Sequence, residues 1–326
     1  LFRSNQPLVV GSGETPQGWS DRLQSFTPVR EEEWEIAFYG GTFSALPKEE
    51  QRNFLCRILP HTKKSGVLGI RISTRPDRVP EETLSFLKES GVRTIELGVE
   101  SLDDEVLRRS GRGHTAAAVF DACRRIRQHG FVLGIHLMCG LPGQSEESFY
   151  RTVHESLSLI PQLVRIAPTL VLKETPLERL YTRGVYRALD LEDALRQCGY
   201  AYRVFHNRHI SIIRVGLAIS DENGEGTEKL VAGPWHPAFR HEVESRLVRE
   251  TIASYLQEHP EESRFLIHPK DHSIVVGAGK QNRLAWQKIC LGTMTVIPDA
   301  SQPRHTFRTS VGQNHSLFGE SEGITS

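Results

Sequence analysis

Five short apolar stretches alternate with amphipathic helical stretches between residues 34 and 163 of this 326-residue chain. The apolar stretches begin near Trp34, Leu68, Thr94, Phe131 and Leu163, so that one recurs every 26 to 37 residues. Helical periodicity follows the first four of them, near residues 48–59, 81–89, 115–128 and 146–160. Strands that alternate with helices at this spacing predict an α/β fold with a parallel sheet, either open or closed into a barrel.

The first of these strands runs into the glycine pair Gly40 and Gly41, which is followed by Thr42 and an acidic helical stretch. Glycine lacks a Cβ, so it suits a sharp turn or a close approach of the backbone to a ligand. The carboxyl ends of parallel strands are where α/β folds place their ligands. The pair therefore has two interpretations, an ordinary strand-to-helix turn or one wall of a binding site.

Charged, hydroxyl and glycine residues also follow the later strands, at the end of the sheet where strand ends converge. They are Arg71, Ser73 and Arg75, then Glu100 and Ser101, then Arg112 and His114, then His136 and Met138, then Gly140, Leu141, Pro142 and Gly143, and finally Lys173. Single members of the group also have ordinary structural explanations. His136, for example, is equally compatible with a core position. Asp103 is better explained as a helix cap. Their convergence predicts a site.

Composition narrows the class of protein. Lys+Arg 40 balances Asp+Glu 40, so the overall charge does not favour nucleic acid, although a local basic patch is compatible with it. No apolar run reaches the ~20 residues of a membrane helix. No signal peptide is recognisable, so a cytoplasmic protein without a membrane partner is expected. The five cysteines are widely spaced with no CxxC pair, which argues against a disulfide scaffold and against a site of closely spaced thiolates.

The sequence predicts four regions. Residues 1–33 are an N-terminal loop region, 34–219 the barrel-like domain, 220–311 a small C-terminal α+β module and 312–326 a disordered tail. Within the module, strands are predicted near residues 263–268, 272–276, 293–297 and 305–311, with a helix near 280–291. The turn from Gly277 to Lys280 permits an alternative, a nucleotide-binding protein with a phosphate site, although the turn lacks Walker A spacing.

Six segments, FYGGTF, RISTRPD, IELGVES, RRSGRGHT, GIHLMCGLPGQ and PTLVLKETPLERLY, occur in a characteristic order and spacing. In this order they resemble radical S-adenosylmethionine proteins of the branch related to the catalytic subunit of Elongator. The resemblance extends from about Asn5 to Val311. It includes IIRVGL and AGPWHPAFRHEVESRL, which are similar to a C-terminal extension of bacterial relatives.

The resemblance implies a partial (β/α)6 barrel of the TIM type, with its first strand apparently missing from this chain. It also implies a 4Fe–4S cluster and S-adenosylmethionine at the mouth, an electron donor, and release of a 5′-deoxyadenosyl radical. By resemblance, Gly40, Gly41 and Thr42 contact the methionyl amino group, and Ser73 and Arg75 line the second wall. Glu100 and Ser101 face the ribose or methionyl part of the ligand, and Arg112 is a candidate partner of its carboxylate. Gly140, Leu141 and Pro142 border the adenine, and Lys173 lies towards the substrate.

One departure from the family concerns the cluster. Members hold it with a CxxxCxxC loop, which this chain lacks. In close relatives an Asn-Gln pair follows the third cysteine. Asn5 and Gln6 resemble that pair, which places Ser4 at the position of the cysteine. Iron clusters are held by thiolates, so no metal ligand is assigned. Two hypotheses follow. An enzyme whose true start is missing would act on tRNA or a small molecule, whereas a cluster-less pseudo-enzyme would be an RNA-binding or scaffold protein.

Overall fold

The computed structural model describes residues 8–10, 33–39, 41–217, 227–310 and 312–319. Its strands are β1 Leu8–Val10, β2 Trp34–Phe38, β3 Val67–Thr74, β4 Val92–Glu100, β5 Val132–Cys139, β6 Leu163–Pro168, β7 Val171–Leu172, β8 Ser211–Val215, β9 Leu230–Ala232, β10 Arg264–Ile267, β11 Thr295–Pro298, β12 Thr306–Arg308 and β13 Asn314–Ser316. Its helices are α1 Lys48–Ile58, α2 Glu81–Glu89, α3 Asp104–Arg109, α4 Ala116–Gln128, α5 Glu146–Ser156, α6 Pro176–Thr182, α7 Leu191–Asn207, α8 Phe239–Glu258, α9 His272–Val276 and α10 Gln281–Gln287. No helix in these ranges combines the length and the apolar character that crossing a membrane requires.

The chain divides into two compact units, Leu1–Ala167 with Ile210–Arg214, and Pro168–His209 with Val215–Ser326. The first unit is built on a seven-stranded sheet with the order β1-β2-β3-β4-β5-β6-β8. The neighbouring pairs from β1/β2 to β4/β5 are parallel. Strands β2 to β6 begin within two residues of their predicted starts, so the predicted parallel α/β architecture is confirmed.

Strand β1 lies at the edge of this sheet, in a region that the sequence assigned to a loop. Its register with β2 places Val9 opposite Ala37. A three-residue strand is too short to show a periodicity, so the residue pattern could not distinguish it from loop. Within the same loop region, the sequence also predicts a helix of about two turns near Trp19 to Phe26, which lies outside the described residues.

One face of the sheet is apolar and forms the core of the first unit. Ile36, Ile70, Ile72, Ile95 and Leu97 alternate along β2, β3 and β4 and are at most 2% exposed. Burying each such side chain contributes about 1.5–3 kcal/mol. Because successive side chains of a strand point to opposite faces, the residues between them lie on the other face of the sheet. That second face is polar, and it carries most of the candidate site.

Side-chain caps begin three of the helices that follow the strands. Asp103 accepts hydrogen bonds from the N–H groups of Glu105 and Val106, at 3.0 and 3.3 Å, so the prediction that it is a cap is confirmed. Thr115 and Ser145 each accept from the N–H three residues further on. A cap of this kind stabilises a helix by about 0.5–2 kcal/mol and fixes the loop in front of it.

The second unit contains the predicted α+β module. Its helices α7 and α8 contact each other, and its four-stranded sheet has the order β11-β10-β12-β13. Strands β10 and β11 are parallel, whereas β12 is antiparallel to both β10 and β13. Phe265, Trp286 and Phe307 are buried, and Trp286 Nε1 donates to the Arg249 carbonyl at 3.0 Å. These buried aromatic side chains belong to the hydrophobic core of the module.

Two parts of the second unit differ from the sequence prediction. Residues 272–276 were predicted as a strand but form helix α9. An apolar run this short is compatible with the period of a strand and with that of a helix, so the sequence pattern does not distinguish them. Residues 312–326 were predicted as a disordered tail, yet Asn314–Ser316 forms β13 and Leu317 and Phe318 are fully buried. The units also divide the chain at residue 167, within the region predicted as one barrel-like domain.

Aromatic side chains hold the end of the described chain in place. The Phe318 ring lies 5.0 Å from Tyr202, 4.9 Å from His206 and 5.3 Å from His305, measured between ring centroids. Arg203 Nε donates to the Phe318 carbonyl at 2.8 Å. Burial, followed by the neighbouring charges of His305 and His209, lowers the pKa of His206 to about 4 from 6.5.

This shift predicts acid sensitivity of the second unit. Because the folded-state pKa of His206 lies below its unfolded value, unfolding takes up a proton between about pH 6.5 and about pH 4. The free energy of unfolding should therefore fall by up to about 1.4 kcal/mol per pH unit as the pH drops through that window. His206→Phe should remove this component, measured by urea unfolding of both proteins from about pH 7 to about pH 5. Equal pH dependence in the two proteins would contradict the assignment.

Candidate functional site

A buried charge network lies on the polar face of the sheet. Arg71 on β3 donates through Nε to Glu35 Oε2 at 2.8 Å and through Nη1 to Glu96 Oε1 at 2.9 Å, and its Nη2 also contacts Glu35. Thr94 donates to the other Glu35 oxygen at 2.5 Å. The Arg71, Glu35 and Glu96 side chains are all less than 5% exposed. Burial opposes the charge of Arg71, but the two carboxylates outweigh burial and raise its pKa.

Tyr39 and Arg165 extend this network around Glu96. Tyr39 donates its hydroxyl to Glu96 Oε1 at 2.7 Å, and Arg165 Nη1 donates to Glu96 Oε2 at 3.2 Å. The Arg165 guanidinium lies 4.9 Å from the centre of the Tyr39 ring, a cation–π contact. Burial and the Glu96 charge raise the pKa of Tyr39, so the hydroxyl remains a neutral donor. A Cβ at Gly134 would lie 2.9 Å from Glu96 Cγ, so glycine there makes room for this side chain.

A second cluster lies at the carboxyl ends of β4 and β5. Arg112 Nη2 is 2.6 Å from Glu100 Oε1, and its Nη2 to Met138 Sδ distance is 3.6 Å. Glu100 has φ +64°, in the left-handed region that non-glycine residues seldom adopt. Such strain persists where the surrounding structure determines it, and it occurs often at functional sites.

Glu100 offers an oxygen for a ligand. Its Oε2 is buried, lies 3.3 Å from His136 Nδ1, and has no partner with hydrogen-bond geometry among the described residues. Burial acts to raise the pKa of Glu100, but His136 and Arg112 outweigh burial and lower it. The carboxylate is therefore ionised at neutral pH and accepts hydrogen bonds only. A buried acceptor without a partner is costly, so such an atom marks a place where a donor is expected.

Three turns bring further candidate residues to this cluster. A Cβ at Gly113 would lie 3.0 Å from Arg75 Nη2, so the turn around Arg112 contacts the end of β3. A Cβ at Gly143 would lie 2.5 Å from Arg109 Cδ, so the turn after β5 contacts helix α3. Arg75 is itself paired with Asp77 at 2.8 Å. The turn after β3 thus contacts the turn between α3 and α4, and the turn after β5 contacts the end of α3.

The remaining predicted residues have different environments. Gly41 is exposed, and a Cβ there would meet no atom within 4 Å, whereas Thr42 and Ser73 are half-buried. Ser101 is fully buried, with its Oγ 3.3 Å from Thr152 Oγ1 and accepting from the Asp103 N–H. Gly140 has φ +75°, Leu141 is buried and Pro142 is half-buried, whereas Lys173 is exposed in the second unit. Gly40 lies outside the described residues.

The cysteines do not provide a cluster site. None of the five forms a disulfide; Cys56 is exposed and the other four are buried. No group of three or more His, Cys, Asp or Glu side chains among the described residues could hold a metal ion. Burial raises the pKa of Cys123 to about 12, which makes it a poor source of thiolate. The residues present therefore do not fit a 4Fe–4S cluster, which requires several thiolate ligands.

The sequence interpretation missed the four residues that surround Arg71, namely Glu35, Tyr39, Glu96 and Arg165. A signal was present, because each lies at an alternate position within or at the end of an otherwise apolar strand. Charged residues within buried strands require partners. Their repeated occurrence on separate strands indicates that the strands share a polar face.

Comparison with known families gives two matches. The model of the radical SAM superfamily, where SAM is S-adenosylmethionine, matches residues 23–155, and the radical SAM C-terminal domain matches residues 161–249. Together the two matches cover most of the chain between residues 23 and 249. The family implies S-adenosylmethionine and a 4Fe–4S cluster as cofactors.

Among curated proteins, the chain is similar to the tRNA uridine(34) acetyltransferase of Methanocaldococcus infernus, with 28% identity over 187 residues, 51% of this chain and 35% of that protein. It is also similar to human Elongator complex protein 3, with 32% identity over 181 residues, 49% of this chain and 33% of that protein. The chain thus spans about one third of the length of these relatives.

A solved structure has the same fold. The archaeal Elp3 of Methanocaldococcus infernus with residues 1–46 deleted gives a TM-score of 0.63 at 22% identity, covering 76% of this chain and 63% of that one. At this identity the likeness concerns the fold alone, and it confirms the predicted partial barrel. The chain therefore belongs to the radical SAM superfamily, and its relatives include the Elongator catalytic-subunit branch of that family.

Proposed function

We propose that the strand-end cluster of the first unit binds S-adenosylmethionine, and that the protein uses this ligand in radical chemistry on tRNA. The observation that carries the proposal is the buried, ionised Glu100, whose Oε2 lies 3.3 Å from His136 Nδ1 but has no hydrogen bond of good geometry to a described residue, beside Arg112. The ligand offers complementary groups, since its hydroxyls and ammonium are donors and its carboxylate suits a guanidinium. Open space at Gly41 allows the ligand to approach the backbone closely.

Each predicted site residue of the first unit receives a role in this proposal. Glu100 Oε2 accepts a hydrogen bond from the ligand's hydroxyl or ammonium groups, and Arg112 holds the ligand carboxylate. Ser101, whose hydroxyl is bonded within the β4 to α3 connection, positions Glu100 and does not itself contact the ligand. The remaining contacts are assigned by resemblance: Gly40, Gly41 and Thr42 to the methionyl amino group, Ser73 and Arg75 to the second wall, and Gly140, Leu141 and Pro142 to the adenine.

In this family the bound ligand would accept an electron, its sulfonium C–S bond would break to release methionine, and the 5′-deoxyadenosyl radical would abstract hydrogen from the substrate. The described cysteines do not fit the iron cluster that would pass on this electron, so the described residues provide the ligand site and not the electron relay. Anaerobic incubation of this chain with iron and sulfide is accordingly expected to leave less than one iron per chain, measured by iron counting and visible absorbance. About four irons per chain with a thiolate charge-transfer band would contradict this prediction.

tRNA is proposed as the substrate because relatives are named as tRNA uridine(34) acetyltransferases and Elongator subunits. These names also favour an enzyme over an RNA-binding scaffold. An enzyme of this kind needs an external electron donor, and its substrate would place it in the cytoplasm. Lys173, exposed in the second unit, is assigned to the substrate side by resemblance alone.

Glu100→Gln tests the ligand site. The amide keeps the shape of the side chain but removes the charge, so the affinity for S-adenosylmethionine should fall by about ten- to a hundredfold, the effect of losing a charged hydrogen bond. Calorimetric titration of the full chain measures this change. Glu105→Gln is the matched control, since Glu105 is ion-paired with Arg108 and Arg109 on α3, outside the cluster. Equal affinity in the wild type and Glu100→Gln would contradict the proposal.

A further inference from the structure

The segment from residue 263 to residue 298 in the second unit exposes positive charge and no negative charge. Its only acidic residue is Asp271, which is fully buried and accepts from Arg304 Nε at 2.6 Å. Its basic side chains are all exposed, and none forms an ion pair with a described residue; they are Arg264, Lys270, Lys280, Arg283 and Lys288. The whole chain has zero formal charge, so this concentration of cations is local. An exposed basic patch of this kind attracts polyanions.

A glycine loop lies within this basic segment. Gly277, Gly279 and Lys280 have φ values of +77°, +56° and +64° between helices α9 and α10. The buried amide of Asn282 on α10 connects the two helices beside the loop, because its Nδ2 lies 3.2 Å from the carbonyls of Ile274 and Val275 on α9. The same Nδ2 lies 3.0 Å from the Ser245 carbonyl. These contacts hold the two helix ends on either side of the loop.

The loop presents its backbone to solvent. A Cβ at Gly279 would meet no atom within 4 Å, and Lys280 beside it is exposed. The surrounding frame is strand β10, helix α9, the loop, helix α10 and strand β11, in which β10 and β11 are parallel neighbours. RNA-binding KH modules clamp the backbone of four nucleotides with a GXXG loop. Here the loop between the two helices is GAGK, which shares the first glycine of GXXG but has Lys280 in place of the second.

Helix α10 adds apolar and cationic side chains to this surface. Leu284 and Arg283 on the helix are exposed, Leu284 by 61%, and Leu291, beyond the last helical residue Gln287, is 81% exposed. Cations suit phosphates, and exposed aliphatic side chains suit the faces of unstacked bases. A double helix keeps its bases stacked, so this combination favours a single strand.

We propose that this surface, formed by the loop Gly277–Lys280 and the exposed face of α10, binds the backbone of single-stranded RNA. The choice of RNA rather than another polyanion rests on the proposed action on tRNA, whereas the surface itself is defined by its own charges. Because no aromatic side chain is exposed on this face of α10, contacts are made mainly to phosphates and the sequence preference is weak. The surface thus holds RNA without performing chemistry.

Fluorescence anisotropy with the full chain and a labelled single-stranded RNA of about 12 nucleotides tests the proposal. Lys280→Glu with Arg283→Glu should weaken binding at least about tenfold. The plot of log affinity against log salt should become shallower by about 1.4, since each lost phosphate contact contributes about 0.7 for a single strand. The matched control is Arg57→Glu with Lys63→Glu, which makes the same charge change at exposed residues of the first unit.

Gly279→Asp provides a second variant that the fold should tolerate, because its Cβ has open space and aspartate accepts positive φ better than most residues. Its carboxylate should repel phosphate and weaken RNA binding at least about fivefold. Unchanged affinity in both variants overturns the proposal, as does equal binding of heparin or duplex RNA in competition. Titration of the same variants with S-adenosylmethionine keeps the two proposals separate, since it reports on the first unit alone.

Discussion

Replacing Arg71 with methionine is expected to lower the free energy of unfolding by about 3–5 kcal/mol, the cost of removing one partner from a buried charge network. Glu35 and Glu96 would then remain as two buried carboxylates without the guanidinium that faces both of them. Methionine approximates the length of the arginine stem, so the loss of packing is small compared with the loss of charge. Urea unfolding followed by circular dichroism measures the difference.

The matched control for this variant is Lys48→Met. Lys48 pairs with Glu82 at 3.0 Å, but both side chains are more than 60% exposed. An exposed ion pair contributes about 0–1 kcal/mol, so this control should hardly change the unfolding midpoint. Equal destabilisation by Arg71→Met and Lys48→Met would contradict the prediction that the buried network contributes more to the free energy of unfolding than an exposed ion pair.

Gly41→Val is expected to abolish measurable binding of S-adenosylmethionine and to leave the fold largely intact. A branched side chain would occupy the space that the ligand's amino group needs beside the backbone. A Cβ at Gly41 would meet no atom within 4 Å, which supports the expectation that the fold stays largely intact. Calorimetric titration measures ligand binding, and thermal unfolding monitors the fold.

Ala45→Val is the control for Gly41→Val, because Ala45 is exposed in the short helical turn Phe43–Ala45 that follows the glycine. It adds two carbon atoms, against three in Gly41→Val, and creates the same branched side chain without narrowing the strand-end turn itself. The control should bind S-adenosylmethionine like the wild type. Wild-type affinity in Gly41→Val as well would count against the assignment of the whole site.

The strands and helices of the first unit were largely predictable from sequence. Strand β2 begins at the predicted residue Trp34, and helices α1 and α2 begin at the predicted residues Lys48 and Glu81. These elements repeat one pattern several times, and each repeat reinforces the same period. The elements β1 and α9 contain three and five residues, which is too short to show a periodicity.

The buried network could not be predicted in the same way. Glu96 meets Tyr39 at a sequence separation of 57 residues and Arg165 at a separation of 69 residues. Those meetings depend on the order and register of the strands, which a local pattern does not contain. Alternation along β3 places Arg71 and Ser73 on one face. It did not show that Glu35 on β2 and Glu96 on β4 lie on either side of Arg71.

The strand-end cluster was predictable as a group but not in detail. Glycines and charged residues after successive strands indicated a shared site, because such ends converge. The left-handed backbone of Glu100 and the missing hydrogen bond of its Oε2 became visible only in three dimensions. Similarly, the sequence placed Ser101 beside Glu100 but did not show that the hydroxyl is bonded to Thr152.

Hydrogen–deuterium exchange with and without saturating S-adenosylmethionine reports where the ligand binds. With the ligand bound, we expect slower amide exchange at the strand ends, in residues 41–46 and 98–103, and in the turn 110–114 between α3 and α4. Segments of the second unit such as 264–267 should exchange at the same rate in both states. Protection confined to the second unit, or no protection at saturation, would contradict the assignment of the ligand site.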